Sequence, residues 1–173
     1  MPPFTSSATD LAARTAGTWM LDPQSSVAGF TVGNFVVRSV SGRIPLTAAS
    51  LTVSDEGSVS VWVEADVAAI DTGHARRDVD LRKPALLDLE RHSSLVFQAT
   101  RLVETAAGWL VPGQLTAKDT TRELELTATV VPEGEHLRVH ATGQLDRRDY
   151  GITAPRFLIG ALVDVEVDAV FTR

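Results

Sequence analysis

The feature that most constrains the fold of this chain is a strict alternation of apolar and polar residues in its last segment. Between positions 159 and 171 every second residue is apolar, and Asp164, Glu166 and Asp168 lie on the opposite parity. Because successive side chains of a β-strand point to opposite faces, this pattern predicts a strand with one buried and one solvated face. Similar alternation follows Ser58, Arg122 and His136. The chain is therefore predicted to consist mainly of antiparallel strands.

Additional strand-like segments bring the predicted total to about eight, the number at which a closed barrel either fills itself or holds one small ligand. These segments are Gly17 to Leu21, Val27 to Val32, Val40 to Val53, Leu95 to Val103 and Trp109 to Leu115. Turn signals such as Asp55-Glu56-Gly57 separate the strands. Regular spacing of this kind favours a sandwich or a barrel, and the length of the last strand favours the barrel.

Length and charge limit the remaining possibilities. The 173 residues suit one domain, predicted to span 17–173, after a Pro-, Ser- and Thr-rich flexible lead of residues 1–16. The first residues do not resemble a signal peptide and there is no long apolar run, so we expect a cytoplasmic protein that does not span a membrane. The net charge of −6 argues against nucleic acid as a partner, and the absence of cysteine excludes disulfides and thiolate ligands.

One segment departs from the strand pattern. Between Thr72 and Leu89 the spacing is helical, with Asp71 or Thr72 available to cap the start and Pro84 as an interruption. We expect this segment to form a short helical lid over one end of the barrel.

Four motifs, in this order, resemble those of the YceI-like family of lipocalin-like proteins. Trp19 to Val27 with Phe30 resembles "W.lDp.hS.v.F", and the block IDTGHARRDVDLRKPALLDLERHSSLVF resembles "SIDTG…RRD.HLRS.DFFD….P.I.F". Gln114 to Arg122 resembles "G.LTi+G.TR", and Gln144 to Ile152 resembles "i+R.DFGi". There are departures, such as Leu86-Leu87 in place of Phe-Phe and Asp119 in place of Gly. The resemblance covers roughly residues 17 to 172.

The resemblance implies an antiparallel lipocalin-like β-barrel that stores or transports a polyisoprenoid or similar amphiphilic lipid without catalysis. The ligand it implies is an isoprenoid chain, such as a polyprenyl phosphate or a quinone tail, and no cofactor is expected. The departures predict a pocket whose shape differs from that of its relatives. Period-two alternation gives the residues expected to line a tunnel with its mouth near the lid: Phe30, Val32, Val61, Val63, Leu95, Phe97, Leu126, Val139, Val163 and Val165.

Two groups of charged residues belong to the motifs, namely Arg77, Asp78 and Arg82 in the lid, and Arg147, Arg148 and Asp149 near residue 150. One interpretation is a salt-bridged network that holds the lid on the barrel, with Asp78 pairing toward the second group. The alternative is that one or two of these arginines bind an anionic headgroup.

Other functions have less support. His136 and His140 share a strand face with Arg138, which disfavours a metal, and there is no Gly-x-Ser-x-Gly nucleophile motif. Two alternatives stay open: a ligand-free filled barrel with a structural or stress-related role, and an enzyme acting on a hydrophobic substrate with Asp149, Tyr150 or a histidine as acid or base. Trp62, alone on a polar face, suggests a homodimer contact.

Overall fold

The structure, a computed structural model, describes residues 13–34, 38–153 and 160–173. Helix α1 spans Ala75–Leu81. The strands, in chain order, are β1 Gly17–Leu21, β2 Val27–Asn34, β3 Arg38–Val53, β4 Val59–Asp66, β5 Ser94–Ala99, β6 Val103–Thr105, β7 Gly108–Ala117, β8 Thr120–Glu133, β9 His136–Asp146 and β10 Leu162–Thr172.

The strands form one closed antiparallel barrel, as the sequence predicted. Each strand pairs with its neighbour in the order β2, β3, β4, β5, β7, β8, β9, β10, and β10 closes the ring by pairing with β2. Strand β1 lies in line with β2, because it also pairs with β10 and β3. Strand β6 lies in line with β5, because it also pairs with β7. The ten strands therefore fill eight positions around the barrel.

The inward residues form two walls. Along β8, for example, Leu124, Leu126 and Ala128 are buried and the residues between them are exposed. One buried cluster lies on β5 and β7 to β9 and includes Tyr150, and a second lies on β1, β3, β4 and β10 and includes Leu137 of β9. Val61 and Val139 pack against both clusters and are themselves only partly buried. Burial of such side chains stabilises the barrel by about 1.5–3 kcal/mol each, while the space between the walls stays open.

The segment between β4 and β5, residues 67–93, is called the lid here. Its α-helix is shorter than the predicted Thr72 to Leu89 and ends at Leu81, after which the chain continues in turns. Pro84 explains the early end, because proline has no N–H for a helical bond and clashes with the preceding turn. The Asp78 carboxylate supports the start of the helix by accepting hydrogen bonds from the N and Oγ1 of Thr72, at 3.0 and 2.6 Å.

The two ends of the barrel differ in what closes them. The turn end carries the β3–β4 turn (residues 54–58), the β8–β9 turn and residues 13–16. There Thr15 is 2% exposed and its carbonyl accepts a 2.7 Å hydrogen bond from Trp19 Nε1, so Thr15 packs with the barrel; of the predicted flexible lead, residues 1–12 lie outside the described residues. The lid end carries the lid, the β7–β8 turn and residues 147–153.

Candidate ligand-binding lumen

A cavity of about 280 Å³ lies inside the barrel, between the two walls. Among the described residues that line it, Thr15 has the only polar side chain; the rest are aliphatic, aromatic or glycine. Pockets that hold drug-sized ligands have volumes of roughly 300–1,000 Å³, so this lumen, at about 280 Å³, is just below that range. Its lining suits an apolar chain and offers no charged group.

Most residues that were predicted to line the tunnel do line it. Phe30, Val61, Val63, Leu95, Phe97, Leu126, Val139 and Val165 are in the cavity wall. Val32 and Val163, which pair with each other across β2 and β10, are not. Both follow the inward alternation, although the cavity wall does not include them. That the other eight contact a ligand stays a prediction.

The expected mouth near the lid has no support in the cavity wall. No residue of the lid, all of which is described, lines the cavity, whereas Gly57 and Val59 of the turn end do. The buried side chains at the lid end include two from the lid itself, Val67 and Leu89, together with Val32, Val40, Ala117 and Tyr150. Because Gly57 is exposed, the cavity approaches the surface at the turn end.

The first charged group does not pair with the second. Asp78 bonds to Thr72 within the lid, and Arg82 donates a long 3.4 Å bond from its guanidinium to the carbonyl of Ala68. Partly buried Arg77 donates its backbone N–H to His74 Nδ1 at 3.4 Å. The predicted salt bridge from Asp78 to the second group is therefore wrong, since the helix start uses this carboxylate.

The second charged group, Arg147 to Asp149, also makes no described bond to the first. Arg147 is 4% exposed and donates from Nε to the carbonyl of Gly160 at 2.8 Å and from a terminal nitrogen to that of Ile152 at 2.7 Å. Exposed Arg148 forms a bidentate pair with Asp146, while Asp149 is exposed. Arg147 thus folds its own segment, and this arrangement gives no support to its predicted role as a headgroup ligand.

The lid does contact residues 147–153, but through backbone carbonyls. Lys118 Nζ donates to the carbonyls of Pro84 and Gly151, at 2.9 and 3.0 Å, and so links three segments. Thr153 donates its N and Oγ1 to the carbonyl of Ala85, at 2.8 and 3.0 Å. Lys118 was missed because carbonyl acceptors are present at every residue, and sequence gives no sign of which are used.

Among the pKa shifts at the lid end, those of Asp146 and Tyr150 bear on the predicted chemistry. Hydrogen bonds from the side chain and backbone of Arg148 hold the pKa of Asp146 at about 2. Burial, followed by the charge of Asp149, raises the pKa of Tyr150 above its usual value. Tyr150 therefore stays a neutral phenol at physiological pH and is a poor general base.

The outer face carries one polar cluster that the sequence did not reveal. His140 Nδ1 lies 2.8 Å from an oxygen of Asp168 and 3.8 Å from one of Glu166, because β9 and β10 place His140 opposite Asp168. A cross-strand hydrogen bond between His140 and Asp168 accounts for this arrangement. Trp62 is partly buried on the outer face of β4, and the homodimer stays a prediction.

Known proteins resemble this chain in sequence. A UPF0312 protein of Serratia proteamaculans is 30% identical over 105 residues, which cover 57% of this chain and 55% of the relative. A UPF0312 protein of Vibrio cholerae is 29% identical over 100 residues, 54% of this chain and 53% of the relative. The chain thus spans about half the length of the curated relatives it matches.

Solved structures show the same fold at low identity. BcnA of Burkholderia cenocepacia superposes with a TM-score of 0.79 at 15% identity, over 87% of this chain and 98% of the other. A polyisoprenoid binding domain of Saccharophagus degradans, described as implicated in plant cell wall breakdown, gives 0.66 at 17% identity, over 91% and 99%. The YCEI protein of Campylobacter jejuni gives 0.63 at 14%, over 78% and 85%.

Among the described residues, no helix has both the length and the apolar character needed to cross a membrane. The sequence model of the YceI-like domain matches residues 19–171, nearly the whole barrel. This chain therefore belongs to the YceI-like family.

Proposed function

We propose that this protein binds an isoprenoid or similar long-chain amphiphilic lipid inside its barrel, for storage or transport and without catalysis. The observation that carries the proposal is a lumen whose lining has Thr15 as its only polar side chain among the described residues. Family membership supports it, as does the similarity in fold to a domain named for polyisoprenoid binding.

The physical basis is transfer of an apolar chain from water. Each buried methylene contributes about 0.8 kcal/mol, so a few isoprene units offset the cost of association without directed polar contacts. Because no charged side chain among the described residues lines the lumen, the polar end of the lipid would stay outside it, at the turn end where Gly57 is exposed. Deeper in the lumen, the polar end would be buried without a hydrogen-bond partner, and this desolvation would cost too much binding free energy.

A filled barrel without a ligand is the second candidate, and the small cavity volume of about 280 Å³ favours it. An enzyme on a hydrophobic substrate has less support, because the proposed acid and base candidates Asp149 and Tyr150 do not line the cavity. A cytoplasmic location likewise stays a prediction.

The test is to extract the purified protein with organic solvent for mass spectrometry, and to titrate delipidated protein with geranylgeraniol. Val63→Trp and Ala128→Phe add bulk to the lumen, and we expect each to weaken binding at least tenfold, while overpacking costs about 1–3 kcal/mol of stability. The matched control is Thr129→Phe, since Thr129 is the next residue on β8 and is exposed. Circular dichroism checks the fold of each variant.

The outcomes separate the candidates. No extracted lipid and no binding by the parent protein would support the filled barrel. Undiminished binding by both folded lumen variants would place the ligand outside the barrel.

A further inference from the structure

Three glycines in the barrel wall lie directly beneath large side chains of neighbouring strands. A methyl group built on each glycine would lie closer to the neighbouring side chain than two carbon atoms tolerate. The distances are 2.5 Å from Gly42 to Phe30 Cζ, 2.4 Å from Gly113 to Phe97 Cζ, and 2.6 Å from Gly143 to Leu126 Cδ2.

The three pairs are distributed around the ring. They join β2 to β3, β5 to β7, and β8 to β9, so six of the eight strand positions contribute one member. Phe30, Phe97 and Leu126 all line the lumen. Each of these side chains therefore lies along the wall, over its glycine, and leaves the centre of the barrel open.

Backbone conformation does not require these glycines. Glycine within a strand often marks a bulge or a bend of a barrel. However, Gly42, Gly113 and Gly143 are absent from the positions with positive φ, where only glycine is comfortable. Steric space for a neighbouring side chain is therefore the property that distinguishes glycine from alanine here.

We infer that Gly42, Gly113 and Gly143 are specificity-determining residues, which set the free width of the lumen and hence the bulk of the lipid it accepts. This inference rests on the proposed function. A methyl group at any of the three positions pushes the ring or the leucine away from the wall, and the space it can enter is the cavity of about 280 Å³. In so small a volume, one displaced aromatic ring removes much of the room for an apolar chain.

The three positions differ in how easily alanine fits. At Gly42 the closest atoms belong to the Phe30 ring, and the nearest backbone atom, the carbonyl oxygen of Asp71, is 3.1 Å away. Gly143 is similar, with the Glu125 carbonyl at 3.1 Å, whereas a methyl at Gly113 would also meet the Gln98 carbonyl at 2.6 Å. Gly42→Ala and Gly143→Ala are thus the variants to test. Gly33→Ala on β2 is the matched control, since nothing lies within 4 Å of its added methyl group.

The experiment measures the lumen with two kinds of probe in folded, delipidated protein. Xenon, followed by NMR, reports the apolar free volume whatever the natural ligand is. Geraniol, farnesol and geranylgeraniol report the bulk of chain accepted. We expect Gly42→Ala and Gly143→Ala to lower xenon uptake, to weaken binding of geranylgeraniol at least tenfold and to weaken binding of geraniol less. The control Gly33→Ala should match the parent protein in xenon uptake and in binding of both alcohols. Phe30→Ala added to Gly42→Ala should restore both.

The outcomes distinguish this inference from the proposed function. If the parent takes up xenon but no prenyl alcohol, and Gly42→Ala lowers xenon uptake, the lipid-binding proposal fails while the role of the glycines in lumen width stands. If both folded alanine variants take up as much xenon as the parent protein and prefer the same chain lengths, the inference is overturned. Unfolding of both variants would also overturn it, because the displaced side chains would then have had no lumen to enter.

Discussion

The two ends of this barrel are closed by different parts of the chain. At the lid end, long polar side chains reach backbone carbonyls of other segments: Arg147 bonds to Gly160 and Ile152, and Lys118 to Pro84 and Gly151. At the turn end, Trp19 Nε1 donates to the Thr15 carbonyl, and the Arg173 guanidinium, 4.5 Å from the centre of the Trp19 ring, donates to the carbonyls of Arg14 and Ala16 at 3.4 and 3.0 Å. The cavity reaches the turn end, where Gly57 belongs to its wall.

The difference teaches where a ligand can enter with little disturbance. Opening the lid end requires breaking several bonds at once and exposing buried side chains such as Leu89 and Tyr150. Opening the turn end requires moving a few residues beside Gly57, in a turn that is already exposed. Regions with few buried contacts are the ones that open at low free energy.

The largest expected effect is at the lid end. Arg147→Leu removes charged donors from the carbonyls of Gly160 and Ile152 and should lower the free energy of unfolding by about 3 kcal/mol. Urea denaturation measures it, and Arg148→Leu is the control, because Arg148 is exposed and should cost much less. Equal losses in the two variants would show that burial of Arg147 has no special value.

A smaller effect is expected at the turn end. Trp19→Phe removes the 2.7 Å bond to the Thr15 carbonyl and part of a buried ring, which should lower the free energy of unfolding by about 1–2 kcal/mol. Hydrogen exchange should rise in residues 13–16 and not in the lid. Trp62→Phe, on the outer face, serves as the control. A loss as large as that of Arg147→Leu would remove the contrast between the two ends.

The smallest effect concerns pH at the lid end. Arg148 lowers the pKa of Asp146 from 3.8 to about 2 in the folded protein. A depressed pKa stabilises the fold above the unfolded value, near 4, and this contribution is lost as pH falls toward 2. NMR titration should give the low pKa, and Asp146→Asn should flatten stability against pH in this window. A pKa near 4 for Asp146 would contradict the Arg148 pairing.

Alternation alone was sufficient to predict much of the barrel. It identified the inward residues of β4, β5 and β8, because a half-buried strand leaves its period in the sequence. It placed Val32 and Val163 correctly on the inner face, yet it gave no information on how far along the barrel the cavity extends. Side chains from segments outside the strands, such as Leu89 and Tyr150, are also buried at the lid end, and strand alternation does not predict them.

The polar contacts were less predictable. His140 lies opposite Asp168 because of the register between β9 and β10. Alternation in the sequence leaves this register open to shifts of two residues, so it does not predict the pair. Asp78 was predicted to pair with a distant group, but the closer partner was Thr72, six positions earlier. A local hydrogen bond formed at a helix start costs little chain entropy, so it prevails over a pairing about 70 residues away.

The position of β10 has a consequence for biosynthesis. This strand lies between β9 and β2, and it supplies the pairings that close the ring, such as Val163 to Val32 and Val163 to Leu145. Until Leu162–Thr172 has been translated and has left the ribosome, β2 and β9 lack this partner, and each presents an edge with unpaired backbone groups. Local hairpins such as β7–β8 can form early, but an enclosed lumen exists only after the last strand has docked.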